Sequence, residues 1–428
     1  MALRWRSTPW WHSLTEPAPA PPRSPIGRED IDRAARAGHG VVRETPVVSS
    51  RTLTERAGFT VVLKAENLQR TGSFKLRGAM AKLTSLGDGC ARGVVTGSAG
   101  NHAQAVAYAA RTLGVPCEVI MPEGATISKV EAAHSLGAAV TTEGSTVDEA
   151  VAGARARAAE TGMAFIHPFD DPEIIAGQAT LGVELLEQVP DLARVVAPVG
   201  GGGLISGVAL AIKQVKPDVQ VVGVQVESCA PFPGSLAAGT PTPVPTALTI
   251  ADGIAVKRPG ELTLALIRDW VDDLLLVGED EVSEAMVFLL ERTKLVVEGA
   301  GAVGVAAVLG GRLKARAGAG TTVLVLSGGN VGVGLLSEVA RRHETQAGRR
   351  IVLLARMSDR PGSLAVLLSL LAARGANLVD VQHIREGVDL HIRETAVQIV
   401  LETRGADHAR DVTQAVREAG YAEPRLLR

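Results

Sequence analysis

Lys75 stands in the run Thr71-Gly72-Ser73-Phe74-Lys75-Leu76-Arg77-Gly78-Ala79, where its position gives an amine a route to nucleophilic chemistry. Val61-Val62-Leu63-Lys64-Ala65 reads as a buried strand, and the residues after Ser73 take up helical periodicity through about Leu86. Lys75 is thereby expected in the first turn of a helix. The partial positive charge of that helix end disfavours a protonated amine, and desolvation acts in the same direction, so a nucleophilic lysine is attainable near neutral pH. A first-turn lysine can equally be a solvated surface charge, and this segment alone leaves both readings open.

Three further turns carry related chemistry. Val195-Val196-Ala197-Pro198-Val199 is followed by Gly200-Gly201-Gly202-Gly203-Leu204 and a helical run to about Val215. Converging backbone N–H groups at a helix start suit a phosphate, although many strand-to-helix turns are glycine-rich for packing alone. Neither the G-x-G-x-x-G spacing with a ribose-binding acid nor a Walker Gly-Lys-Ser/Thr is present. Thr96-Gly97-Ser98-Ala99-Gly100-Asn101-His102 places an amide side chain and several N–H groups at a second helix start, a natural carboxylate receptor. Val323-Leu324-Val325-Leu326-Ser327-Gly328-Gly329-Asn330 is a strand ending in a hydroxyl. Ser and Asn also serve as ordinary caps at such positions.

In order and spacing these segments, together with Asp252-Gly253-Ile254-Ala255-Val256 and Glu298-Gly299-Ala300-Gly301, resemble the motifs of the threonine ammonia-lyases (threonine dehydratases), pyridoxal-phosphate enzymes of fold type II. The resemblance covers roughly Asp30 to Arg342 and continues into the C-terminal segment. It implies pyridoxal 5′-phosphate as cofactor, joined to Lys75, which also takes the Cα proton. It further implies that Phe74 lies against the cofactor ring, that Asn101 bonds the 3′-oxygen, and that the amides of Gly200, Gly201, Gly202, Gly203 and Leu204 hold the phosphate. Ser327 would face the pyridine nitrogen, and Glu298 would orient groups near the cofactor. Ser98, Ala99, Gly100, Asn101 and His102 would receive the substrate carboxylate.

The reaction so implied is dehydration and deamination of L-threonine to 2-oxobutanoate and ammonia, with L-serine giving pyruvate. Serine racemases share most of these motifs but resemble this chain less at one point: they keep an acid–base serine where Ala99 stands. Without a hydroxyl to serve the opposite face of Cα, racemisation is disfavoured. A racemase of serine or threonine, and an inactive cofactor-bound amino-acid sensor, are the alternatives. The divalent metal of the racemases is not expected, because the run Ser228-Cys229-Ala230-Pro231-Phe232-Pro233 after Glu227 offers no second carboxylate.

The elements that must position these groups follow from length and pattern. The 428 residues are 46% hydrophobic, enough for more than one core, and the net charge of −2 gives no basic footprint for nucleic acid. Three scattered cysteines fit a reducing, cytoplasmic setting. The first residues lack the apolar core of a signal peptide, and the apolar stretch Leu295 to Leu309 contains Glu298, so a core helix explains it better than a membrane span. Residues 1–27, dense in proline, read as a disordered extension, and residues 28–343 alternate strands and helices as a two-lobed α/β catalytic domain. By resemblance the smaller lobe spans about 86–170. A polar linker is expected over residues 344–350, then a ferredoxin-like βαββαβ domain over 351–428. With Pro361-Gly362-Ser363-Leu364 at its first turn and Asn377 before its second strand, that domain resembles an ACT module. Those five residues would then bind an amino-acid or nucleotide effector, or the domain would only stabilise a homo-oligomer, a dimer or a tetramer.

Overall fold

The computed structural model describes residues 24–245, 248–315, 320–385 and 390–427, so residues 1–23 of the expected extension lie outside the described residues. In chain order the strands are β1 Val47–Ser49, β2 Val61–Lys64, β3 Val94–Gly97, β4 Cys117–Met121, β5 Ala139–Thr142, β6 Ala164–Phe165, β7 Leu192–Pro198, β8 Gln220–Val226, β9 Asp273–Val277, β10 Thr321–Val325, β11 Arg350–Ser358, β12 Asn377–Ile384, β13 Glu394–Glu402 and β14 Ala422–Leu427. They form three sheets, ordered β1-β2-β10-β7-β8-β9, β5-β4-β3-β6 and β12-β13-β11-β14.

The largest sheet is parallel apart from β1, which pairs antiparallel with β2. Parallel strands are covered on both faces and read as continuous apolar runs, as β7 and β10 do. Successive residues serve opposite faces. Val195, Ala197, Val323 and Val325 pack against the helices Pro172–Gln188 and Gly203–Lys213. Val196 and Leu324 pack on the other side, with the helices Glu279–Phe288 and Gly299–Leu309. The stretch suspected of being a core helix is one: Gly299–Leu309 is buried along nearly its whole length. Among the described residues no helix is long and apolar enough to cross a membrane.

The second sheet is wholly parallel and lies within the range expected for the smaller lobe. Its core joins Val94, Val119 and Met121 to Ala103, Val106 and Ala110 of the helix Asn101–Leu113. Helix Lys75–Leu86 contributes Leu76, Ala79, Met80 and Leu83 to the same core, and its other side lies against helix Pro172–Gln188. Glycine is required at that second contact: a Cβ on Gly177 would lie 2.5 Å from the Gly78 Cα.

Asp171 starts the long helix, its carboxylate accepting from the Glu173 and Ile174 amides at 2.9 and 3.3 Å, with Pro172 in the first turn.

The C-terminal sheet is antiparallel, and strand, helix, strand, strand, helix, strand follow one another with the last strand beside the first. This is the ferredoxin-like arrangement. The boundary before it differs from the expected linker. The helix Val333–Gln346 runs into the first three residues of the expected linker, 344–346, and the chain turns at Gly348, whose φ is +65°. Polar composition marks a solvated helix face as well as a loop. Here the face is held by Arg342, 2.7 Å from Asp280.

Candidate active site

The turn that carries Lys75 is built on two left-handed residues, Thr71 at φ 65° and Gly72 at φ 72°. Ser73 is then extended and bridges to Gly328, while the Phe74 amide donates to the Ser327 carbonyl at 3.1 Å and the Gly329 amide to Gly72 at 2.9 Å. The lysine turn is thus laced to the turn after β10. Lys75 is the first residue of its helix, and its Nζ donates to the Pro168 carbonyl at 2.7 Å and lies 5.3 Å from the centre of the Phe74 ring.

The back of the same helix is held by charge. Arg77, buried, forks onto Glu66 with two bonds of 2.8 Å and onto Glu184 with bonds of 2.6 and 2.9 Å. Lys64, fully buried on β2, reaches Glu184 at 2.6 Å, Gln188 at 2.8 Å and the Thr45 carbonyl at 2.8 Å. Residues two apart on a helix face different ways, so an anchored Arg77 leaves Lys75 directed into the cleft.

Burial pushes the Lys75 amine down to about 8, with the Glu298 carboxylate acting the other way. Burial likewise takes His102 to about 3 and His167 to about 4, so both imidazoles are neutral near pH 7. Only a neutral amine attacks an aldehyde. With Lys75 as the amine that takes pyridoxal phosphate, covalent loading of the apo-protein is expected to quicken about tenfold per pH unit below 8 and to level off above it, whereas an ordinary lysine would keep accelerating to about 10.4. Stopped-flow absorbance across pH 6 to 10 measures this; acceleration persisting to pH 10 would show an unperturbed amine.

Facing Lys75 is the glycine loop. Gly202 has φ +93°, and the helix begins at Gly203. A Cβ on Gly201 would fall 2.2 Å from the Phe169 ring and one on Gly200 3.0 Å from the Ile254 Cα, so side chains are crowded out and the turn is left to main-chain atoms. The Phe74, Lys75, Ser98, Asn101, His102, Gly200 to Leu204, Glu298 and Ser327 positions all border one cleft of about 730 Å³, a volume suited to a cofactor with a small substrate. Ala99 and Gly100 belong to the turn between Ser98 and Asn101, and the Ser98 hydroxyl accepts from the Gly100 amide at 3.2 Å. Asn101 donates to Glu298 at 2.7 Å. Burial raises that carboxyl to about 7, Asp252 adding to the effect and the Asn101 bond opposing it. A loop without room for Cβ atoms at a helix start, an amine near neutrality and an amide donor on one cleft fit pyridoxal phosphate. Among the described residues no His, Cys, Asp and Glu group is arranged to hold a metal.

Two ion pairs cross the mouth between the lobes, Lys129 to Asp252 at 2.9 Å and Lys257 to Asp148 at 3.6 Å. The turn at Pro168 was not legible in the sequence, because a main-chain carbonyl has no residue-type signature. Its rigidity comes from His167, whose Nδ1 accepts from the Phe169 and Asp170 amides at 3.2 and 2.8 Å. Of the residues expected to be regulatory, Pro361 to Leu364 gather at the start of the helix Ser363–Ala373, whereas Asn377 stands beyond its other end and donates to Glu402 at 2.8 Å.

The family model described as "Pyridoxal-phosphate dependent enzyme" matches residues 39–336. The L-threonine ammonia-lyase of Thermotoga maritima is 44% identical over 397 residues, 92% of this chain and 98% of that one. The catabolic L-threonine dehydratase of Escherichia coli is 43% identical over 316 residues, 74% of this chain and 96% of the relative. Among solved structures, the threonine deaminase of T.th. superposes with a TM-score of 0.67 at 43% identity, covering 72% of this chain and 99% of that one. Maize serine racemase superposes with a TM-score of 0.70 at 35% identity, covering 75% and 98%. A lysine turn, a glycine cradle and a serine-ended strand meeting in one cleft are thus accompanied by identity along nearly the whole chain, and the chain belongs to the threonine ammonia-lyase family of pyridoxal-phosphate dependent enzymes.

Proposed function

We propose that the chain catalyses the dehydration and deamination of L-threonine to 2-oxobutanoate and ammonia, and acts on L-serine to give pyruvate. The observation that carries this reading is the meeting of Lys75 Nζ, the Gly200–Leu204 turn, Asn101 and Ser327 in one cleft. The names of relatives matched over nearly their full length support threonine as the substrate. When bound, pyridoxal phosphate supplies an aldehyde that condenses with amines and a ring that accepts electron density from the substrate Cα.

The chain's own groups do the rest. The amides of Gly200 to Leu204, with the dipole of helix Gly203–Lys213, would bind the phosphate. Phe74 would pack beside the ring, and Asn101 would donate to its phenolic oxygen. The Ser98–His102 turn orients the substrate carboxylate at the start of helix Asn101–Leu113. Lys75, its amine near 8, takes the Cα proton. Ser327 would offer the ring a neutral hydroxyl in place of a carboxylate that holds a proton there, and the ring would then be a weaker electron sink, a setting suited to elimination. Ala99 places a methyl group where a second proton donor would stand, so the opposite face of Cα goes unserved.

We further read the C-terminal domain as an ACT-like regulatory module. Pro361 to Leu364 and Asn377 lie at opposite ends of an 11-residue helix, about 16 Å long. A small effector that touches both therefore draws on two copies of the chain, which supports a homo-oligomer. Three buried free cysteines support a reducing, cytoplasmic setting.

One assay tests these readings together: keto-acid release from L-threonine and L-serine, with D-serine measured alongside, by the full chain and by a chain ending at Gly348. The expected result is 2-oxobutanoate and pyruvate with little D-serine, and a response to isoleucine, valine, threonine or adenine nucleotides only in the full chain. Dominant D-serine formation would overturn the lyase reading. An equal effector response in a folded truncation would move regulation into the catalytic lobes.

A further inference from the structure

We propose that Asn330 is a positioning residue that fixes which way the Asn101 amide faces, making Asn101 a hydrogen donor to the cofactor. The inference rests on the reading that Asn101 meets the cofactor's phenolic oxygen.

The oxygen and nitrogen of a side-chain amide have nearly the same shape, so only neighbours of fixed identity determine its orientation. The Thr71 carbonyl oxygen is such a neighbour, because it can only accept. The Asn330 atom 2.7 Å from it is therefore Nδ2. That same nitrogen lies 2.7 Å from the Asn101 side chain, so the atom facing it is Asn101 Oδ1. Asn101 Nδ2 is then turned towards Glu298 Oε1, at 2.7 Å.

Both hydrogens of the Asn330 amide are engaged. Asn101 gives one of its two to Glu298, and the second is left for a ligand in the cleft that Asn101 borders. The lysine turn is shaped around this arrangement: a Cβ on Gly72 would lie 2.3 Å from Asn330 Oδ1, and Gly72 takes the left-handed conformation that glycine favours. Without Asn330 the Asn101 amide is held only by Glu298, whose carboxyl, raised to about 7 by burial, can give as well as accept a hydrogen near neutrality, so the amide can turn and present a lone pair. A lone pair repels a phenolic oxygen that an N–H would hold.

The test uses the full chain with pyridoxal phosphate, reading the dissociation constant by equilibrium dialysis and the pH midpoint of the visible absorption band. Asn330→Ala and Asn101→Ala are each expected to weaken binding by about tenfold, the loss of one charge-assisted hydrogen bond, and to shift the midpoint. The double variant is expected to be no worse than Asn101→Ala, because Asn330 acts through Asn101. Asn330→Asp keeps the shape but offers acceptors only, so Asn101 must turn its nitrogen towards it, and the same spectral shift is expected. Additive losses in the double variant would place the role of Asn330 in the lysine turn and overturn the proposal. So would an unshifted Asn330→Asp beside an affected Asn101→Ala. A silent Asn101→Ala would instead remove the reading of Asn101 on which the proposal stands.

Discussion

Lys75→Ala is expected to lower turnover of L-threonine by on the order of 10⁴-fold or more, because in the proposed function one substitution removes both the covalent anchor of the cofactor and the base at Cα. The fold should survive, since the side chain's bond is to a single carbonyl, that of Pro168, and it faces a cleft. An unfolding midpoint near that of the wild type would establish this. The decisive measurement is borohydride reduction of the loaded protein followed by peptide mapping. Cofactor still fixed to the chain in the alanine variant would refute the assignment, as would appreciable keto-acid release.

Arg77→Ala carries the largest expected loss of stability, about 3–5 kcal/mol, because it leaves Glu66 and Glu184 without their guanidinium. Burial alone would raise the Glu66 carboxyl. Arg77, helped by the Thr45 hydroxyl and Lys64, more than reverses that, so in the native protein the carboxyl titrates below its ordinary value. The sign follows: the Glu66 contribution is fully present above the ordinary carboxylate range and is lost as pH falls through the depressed native value. A loss of this size is a large share of the 5–15 kcal/mol typical of a domain, so denaturant unfolding should show a much lower midpoint. A midpoint unchanged within error would mean that the cluster holds no net energy.

The lysine turn, the glycine loop and the serine-ended strand were legible because each needs particular residue types at a strand-to-helix junction. The βαββαβ order was legible from periodicity alone. What was not legible depends on partners far along the chain or on main-chain atoms. Arg77 looked like one residue of a motif until Glu66 and Glu184 closed around it, the second 107 residues away. Pro168 acts through its carbonyl, and Asn330 through an amide whose direction is set by Thr71. The connection before β11 is shorter than the polar run suggested, since a polar run fits an exposed helix as well as a loop.

The lacing of the lysine turn to the far end of the catalytic domain has a consequence for synthesis. Strand β2 pairs with β10, Val61 facing Thr322, and Ser73 bridges Gly328. At translation rates of about 5–20 residues per second, the partner of β2 emerges on the order of tens of seconds after β2 itself. The smaller sheet is complete within residues 94–165 and has no such wait. On the ribosome the small lobe is thus free to form first, while the turn that carries Lys75 stays unbraced until Ser327 to Asn330 have left the exit tunnel.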